Sequence, residues 1–332
     1  MSAAGRVVAR RAPRMVISGW ARHHSWALGL LAFLIVLLLF TKGIQPRYGA
    51  AGIQGLAISI LPLVLAAVAQ AIVVIGGGID LSIASIMALT SVVAATLMKG
   101  QSEEFGIVVV LGVLVLGLVL GAINGALVVI TRVPDIVVTL AMSFVWAGTA
   151  LLVLKTPGGG SALWLKDLVS GPLGNEWIPK AAIVLLVLVS IVWLPLRRST
   201  VGLSIYAIGS NQLAAFRSGV SVGRTKVIAY ALMGLFAALG GLSLTASTGI
   251  GTPVPGPYTL FSVAAIVLGG VSLAGGVGGL FGPIIAVIIL SLIRTDMTFL
   301  NVNTNLAVVA QGVILIGVVM FGSVIQMRRA RS

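Results

Sequence analysis

The chain has 332 residues, of which 59% are hydrophobic and 8% charged, with a formal net charge of +14. Soluble domains carry roughly a quarter charged residues, so this composition excludes a water-soluble globular fold. With no cysteine at all, disulfides, thiolate nucleophiles and cysteine-ligated metals are excluded as well.

The apolar residues come in blocks near the ~20 residues that cross a ~30 Å hydrocarbon layer. Backbone polar groups in lipid must be satisfied within the chain, and the blocks lack the alternation of a β-barrel. The expected fold class is therefore all-α: a polytopic membrane helix bundle of about 10 transmembrane helices. The spans fall near 25–41, 52–75, 82–98, 106–130, 134–154, 181–196, 225–246, 258–274, 279–293 and 305–322. Residues 1–24 form a basic N-terminal segment with Arg6, Arg10, Arg11, Arg14 and Arg22, 25–322 the transmembrane domain, and 323–332 a basic tail. The first apolar block resembles the core of a signal peptide, but no small-residue cleavage site follows Phe40, so it reads as a signal anchor. Lysine and arginine favour the cytoplasmic side, and placing the N- and C-termini there puts 14 of the 21 basic residues inside. Because these charges sit at span ends, they read as orientation signals, and no nucleic-acid partner is expected.

Pro62 should kink the second span. A glycine-rich turn follows it, and Asp80 or Ser82 is placed to cap the third helix. In the fourth span Gly117, Gly121 and Gly125 recur every fourth residue, a smooth stripe against which another helix can approach closely. Asp135, beside Pro134, complements the dipole at the start of the fifth. The longest inner connection, 197–226, carries Arg197, Arg198, Arg217, Arg224 and Lys226. Gly278 and Gly282 repeat the four-residue spacing near the start of the ninth span, and Gly269, Gly270, Gly275 and Gly276 make the preceding turn compact or irregular, of the kind tolerated where backbone is buried in protein or lines a cavity. Trp20, Trp26 and Trp193 lie near span ends as interfacial anchors.

Chemistry is scarce. No Gly-Lys dipeptide occurs, so the chain has no phosphate-cradling Walker loop. The two histidines, His23 and His24, neighbour the N-terminal arginines, and neither an HExxH motif nor a carboxylate cluster is present, which leaves little for a membrane enzyme to use. Ion-coupled carriers usually bury ionisable groups at mid-membrane. These spans are nearly free of them, as expected for a neutral substrate and an external energy source. The polar or amphipathic groups within spans are Gln70, Asn124, Thr139, Ser143 and Trp146, and an aromatic face with amide partners suits the C–H face and hydroxyls of a sugar.

The stretch Gly76-Gly77-Gly78-Ile79-Asp80-Leu81-Ser82, continuing Ile83-Ala84-Ser85-Ile86-Met87, resembles the GGIDLSVGS signature of the ribose, arabinose and xylose class of bacterial ABC importer permeases. The resemblance extends through Asn124-Gly125, Arg132-Val133-Pro134, Thr139-Leu140, Tyr206-Ala207-Ile208-Gly209-Ser210-Asn211, Ala214-Ala215 and Ser218-Gly219-Val220, and through Ala264-Ala265-Ile266-Val267-Leu268-Gly269-Gly270 to Gly276. It covers roughly residues 50–320. Around 297–311 the chain departs from the pattern of ribose permeases, which leaves the particular sugar open.

The resemblance implies a transport subunit of the bacterial inner membrane that moves a monosaccharide or similar small polar solute and performs no catalysis itself. Its implied partners are a tandem ABC ATPase subunit, a periplasmic sugar-binding protein and a second permease subunit, identical or paralogous. No cofactor is implied in this chain, since ATP and Mg belong to the ATPase. Residues 211–219 correspond to a coupling helix that sits in a groove of the ATPase. Asn211 would cap it and Gly219 end it, Gln212 belongs to it, Ala214 and Ala215 would permit close docking, and Arg217 would add a charged contact at the rim. Asp80, Ser82, Gln70, Asn124, Thr139, Ser143 and Trp146 are the candidates for the substrate pathway. An ion-coupled carrier of a small neutral solute is the alternative, and a membrane-embedded enzyme or scaffold is a further class.

Overall fold

The computed structural model describes residues 25–303 and, beyond them, scattered positions from 306 to 320 that are helical. The N-terminal arginines, Trp20, both histidines, the tail 323–332 and most of the span expected near 305–322 lie outside the described residues.

The described residues form a helix bundle. Helix α1 (Ser25–Ile44) is apolar on every side, lies at the periphery and packs mainly on the last long helix. Helix α2 (Ala50–Ile75) is the opposite case: from Ile60 to Ile75 every residue but Leu63 is buried. Pro62 sits inside it and the helix continues through. Helix α3 (Ile83–Met98) has 16 residues, a length of about 24 Å, too short to cross a ~30 Å hydrocarbon layer unaided. It is buried at every position except Val93, Thr96 and Leu97, so protein rather than lipid surrounds it. Helix α4 (Glu103–Thr131) starts with Ser102 Oγ accepting from Phe105 N at 3.3 Å and with Glu103 and Glu104 in its first turn. Helix α5 (Asp135–Val153) begins after Pro134 and packs chiefly on α3.

Next come a short helix α6 (Leu163–Val169) and an antiparallel hairpin, β1 (Pro172–Leu173) with β2 (Asn175–Pro179). The hairpin sits against the N-terminal part of α2, where Gln54 Nε2 donates to Glu176 O at 2.7 Å. These two strands are the exception to the all-α expectation. Helix α7 (Lys180–Arg198) leads into what the sequence reads as one long connection, yet most of that segment is helical: α8 (Thr200–Ser210), α9 (Gln212–Arg217) and the start of α10 (Val222–Thr248). Helix α8 is apolar and buries Ile205 and Ile208, which is why it folds back onto the bundle instead of remaining a solvated loop. Helix α11 (Tyr258–Leu268) has 11 residues and stops at Gly269, short of the expected end at 274, and α12 (Phe281–Phe299) follows. Among the described residues seven helices are long and apolar enough to cross a membrane, while α3, α8 and α11 are shorter.

Helix α10 is the hub, and its most extensive partner is α4. The stripe expected on α4 is the contact surface. A Cβ on Gly125 would stand 2.9 Å from Val227 Cα and Tyr230 Cβ, and one on Gly121 would run into Tyr230 O. A Cβ on Gly117 would meet Gly234 O at 2.5 Å, and Gly234 reciprocates against Gly117 O. Between helices in lipid there is no hydrophobic gain to drive association, so this close approach and its dispersion energy hold the pair together.

Candidate functional site

Helix α2 ends in a Schellman motif. Gly77 (φ +82°) donates from N to Val74 O at 2.9 Å, and Gly78 N donates to Val73 O at 3.0 Å. The chain then turns back and delivers Asp80 and Ser82 to a polar knot inside the bundle. Asp80 Oδ1 accepts from both Ser82 N and Ser82 Oγ, each at 2.6 Å. Asn124 Nδ2, from α4, reaches Ser82 Oγ at 2.7 Å and Asp80 Oδ2 at 3.3 Å. Trp146 Nε1, from α5, donates to Asn124 Oδ1 at 3.2 Å. Thr139 Oγ1 accepts from Leu81 N at 3.0 Å and so pins the returning strand to α5. Asp80, Ser82, Asn124 and Thr139 have no exposed surface. Asn124 lies seven residues before the end of α4, about 10 Å along its axis, so the knot is set in from the helix ends.

Neither Asp80 nor Ser82 caps α3 through its side chain, contrary to expectation. Asp80 closes a turn onto Ser82, and the free amide of Ala84 in the first turn donates at 3.1 Å to Thr259 Oγ1, a residue of α11. A second set of polar groups backs the turn. Asp135 Oδ2 accepts from Tyr230 Oη at 2.9 Å, and Asp135 Oδ1 pairs with Lys226 Nζ at 3.4 Å. Gly78 has no room for a side chain, because a Cβ there would stand 2.5 Å from Asp135 Oδ2. Asp135 therefore ties α5 to α10 beyond any effect on its own helix dipole. Tyr230, Lys226 and Thr259 were not anticipated from sequence. The available signal was Lys226 and Tyr230 one turn apart on a single helix face, with no polar partner within α10.

Five of the seven pathway candidates thus converge, and two do not. Ser143 Oγ donates back to Leu140 O at 2.6 Å on a half-buried face of α5. Gln70 is completely buried in α2, and neither amide atom has a partner. Within the knot the Ser82 hydroxyl is already committed to the Asp80 carboxylate and to Asn124. The knot is a set of mutually satisfied donors and acceptors that can hold a turn, or hydrogen-bond a solute once opened.

The second feature is α9, a six-residue helix bounded at both ends by the predicted devices. Asn211 Oδ1 accepts from Ala214 N at 2.9 Å. Gly219, at φ +87°, donates to Phe216 O at 3.0 Å, and Val220 N donates to Ala215 O at 3.0 Å. Ala215 is buried against its own chain, so it cannot serve as a docking residue as expected. Leu213 (59% exposed) and Phe216 (66%) point outward instead, alongside exposed Gln212, Ala214 and Arg217. Trp26 also differs from its expected role. Its Nε1 donates to Leu268 O at 2.8 Å, tethering the start of α1 to the end of α11, and more than interfacial anchoring results.

Residues 52–319 match the family model described as branched-chain amino acid transport system / permease component. The chain belongs to that permease family. The permease is 32% identical over 257 residues to the ribose import permease of Escherichia coli strain K12, covering 75% of this chain and 78% of that protein. It is 31% identical over 259 residues to the D-allose transport system permease of the same strain (77% and 78%). Over 317 residues it is 27% identical to the autoinducer 2 import system permease of Escherichia coli strain HS (91% and 93%). No solved structure matches. These matches agree with the resemblance read from the motifs. They make the chain a multi-pass permease subunit of the bacterial inner membrane and lend the ion-coupled alternative no support.

Proposed function

We propose that this permease forms the membrane path of an ATP-driven importer for a monosaccharide or a similar small polar solute. Three permease relatives named for ribose import, D-allose transport and autoinducer 2 import support that solute class. Ten spans with both termini cytoplasmic complete the arrangement: the seven long helices, the short helices α3 and α11, and a last span in 305–322. Two permease subunits flank the path. A periplasmic binding protein delivers the solute, and a separate ATPase holding ATP and Mg docks on α9.

The observation that carries this reading is α9 itself, a capped helix that leaves Leu213 and Phe216 in the open beside Arg217. Apolar anchors ringed by polar groups are what a protein groove takes up. Nucleotide-driven closure of the ATPase displaces α9, and the knot around Asp80 opens and closes the path. Asn124 and Trp146 then offer an amide and an aromatic face to the solute, with Gln70 and Ser143 further along. Co-purification of the ATPase with a Leu213→Glu/Phe216→Glu permease tests the docking. Loss of the ATPase with an unchanged melting temperature is expected, and full retention contradicts the assignment.

A further inference from the structure

Helices α2 and α11 end in the same way. Gly76 and Gly269 close the helices, Gly77 (φ +82°) and Gly270 (φ +83°) follow in the left-handed region, and the bonding matches, with Gly270 N to Val267 O at 3.0 Å and Val271 N to Ile266 O at 2.9 Å. The two turns lead to a single meeting point with the last turn of α8. A Cβ on Gly275 would stand 2.7 Å from Gly209 O and 2.9 Å from Gly77 Cα, and one on Gly209 would run into Ile75 O and lie 2.6 Å from Gly276 N. Gly276 N donates to Ile75 O at 2.8 Å, and Tyr206 Oη, from α8, donates to Gly278 O at 2.8 Å. Three segments far apart in sequence therefore touch backbone to backbone, and each needs glycine to do so. Gly209 stands two residues before Asn211, the cap of α9, while Gly77 stands three residues before Asp80.

A contact between side chains can absorb a shift by changing rotamer; backbones in direct contact have no such slack, whether joined by a hydrogen bond, as Gly276 N to Ile75 O joins the two turns, or close-packed, as Gly209 of α8 is against both, with Tyr206 Oη as its hydrogen bond to Gly278 O. We propose that Gly77, Gly209 and Gly275 form a rigid joint that makes the turns ending α2 and α11 move with α9 as one body. A displacement of α9 then reaches the ends of α2 and α11 at once, and the Asp80 knot with them. The three glycines are positioning residues and need no contact with solute. The proposal rests on α9 as the site where the ATPase acts.

The absence of native cysteine provides a clean test. A Cβ on Gly76 would stand 3.5 Å from Ile205 Cγ2, one bond from Ile205 Cβ, so a Gly76→Cys/Ile205→Cys pair brings two thiols together between the α2 turn and α8, to be closed by a disulfide or by a short bifunctional thiol reagent. If the elements move as one body, proteoliposomes with the disulfide formed, verified by peptide mass spectrometry, take up solute within about twofold of the reduced sample. Uptake lost on oxidation and regained on reduction would show that α8 slides past the turn and overturns the joint; where the disulfide does not close, the bifunctional thiol reagent supplies the same cross-link and loss of uptake with it overturns the joint equally. In a second variant, Gly209→Ala, uptake falls by about tenfold while the ATPase still co-purifies and hydrolyses ATP. Unchanged uptake per ATP overturns the proposal. Parent permease is run alongside: uptake there that ignores ATPase and binding protein refutes the importer reading, not the joint.

Discussion

Asn124→Leu removes the centre of the polar knot while nearly preserving its shape, since leucine branches where asparagine does. Volume terms are therefore small, and the loss is in hydrogen bonds. Asn124 gives Asp80 one of its three donors, donates to Ser82 Oγ and accepts the indole N–H of Trp146. A hydrogen bond to a charged group contributes about 1.5–3 kcal/mol, and an interhelical bond in lipid averages about 0.6 kcal/mol with a ceiling near 1.7. The sum over the bond to Asp80 and the two interhelical bonds is about 3–6 kcal/mol, a large share of a typical 5–15 kcal/mol stability. Denaturation in lipid nanodiscs measures the loss, and a double-mutant cycle with Trp146→Phe isolates the indole bond. Stability unchanged by Asn124→Leu, or strict additivity of the two substitutions, would refute the knot as described.

On α4, Gly121→Ala forces the helix away from Tyr230 O and should cost about 1–3 kcal/mol. Gly112→Ala on the same helix meets nothing within 4 Å and should be neutral or stabilising by up to about 1 kcal/mol, so paired melting curves separate packing from propensity. Thr259→Val leaves the Ala84 amide without its acceptor and should cost about 0.5–2 kcal/mol, read as faster hydrogen exchange confined to the first turn of α3.

Local regularities were legible in the sequence. Glycines four apart announced the α4 face that meets α10, and Asn211 with Gly219 announced both ends of α9, because caps and small-residue stripes depend on residues near one another in the chain. What the sequence could not show was contact at a distance. The α3 amide is satisfied by Thr259, 175 residues away, and Trp26 bonds a carbonyl 242 residues away. Nothing local distinguishes a threonine that caps another helix from one that bonds its own. Ala215 illustrates a related limit: on a six-residue helix the rotation about its axis decides whether Ala215 faces outward or inward, and α8 packing beside it decides the rotation. The segment 197–226 looked like a loop because its charges cluster at the ends, although 200–210 is apolar enough to pack as a helix. That the glycine motifs near 76, 209 and 275 form one contact required the three-dimensional path.

The most direct test of the account is uptake of radiolabelled ribose and D-allose into proteoliposomes holding this permease, its ATPase and its binding protein, with ion gradients collapsed by ionophores. Uptake of at least one sugar that persists without gradients and needs both partners and ATP is the predicted result, and uptake that stops with the gradients and proceeds without ATP would contradict it.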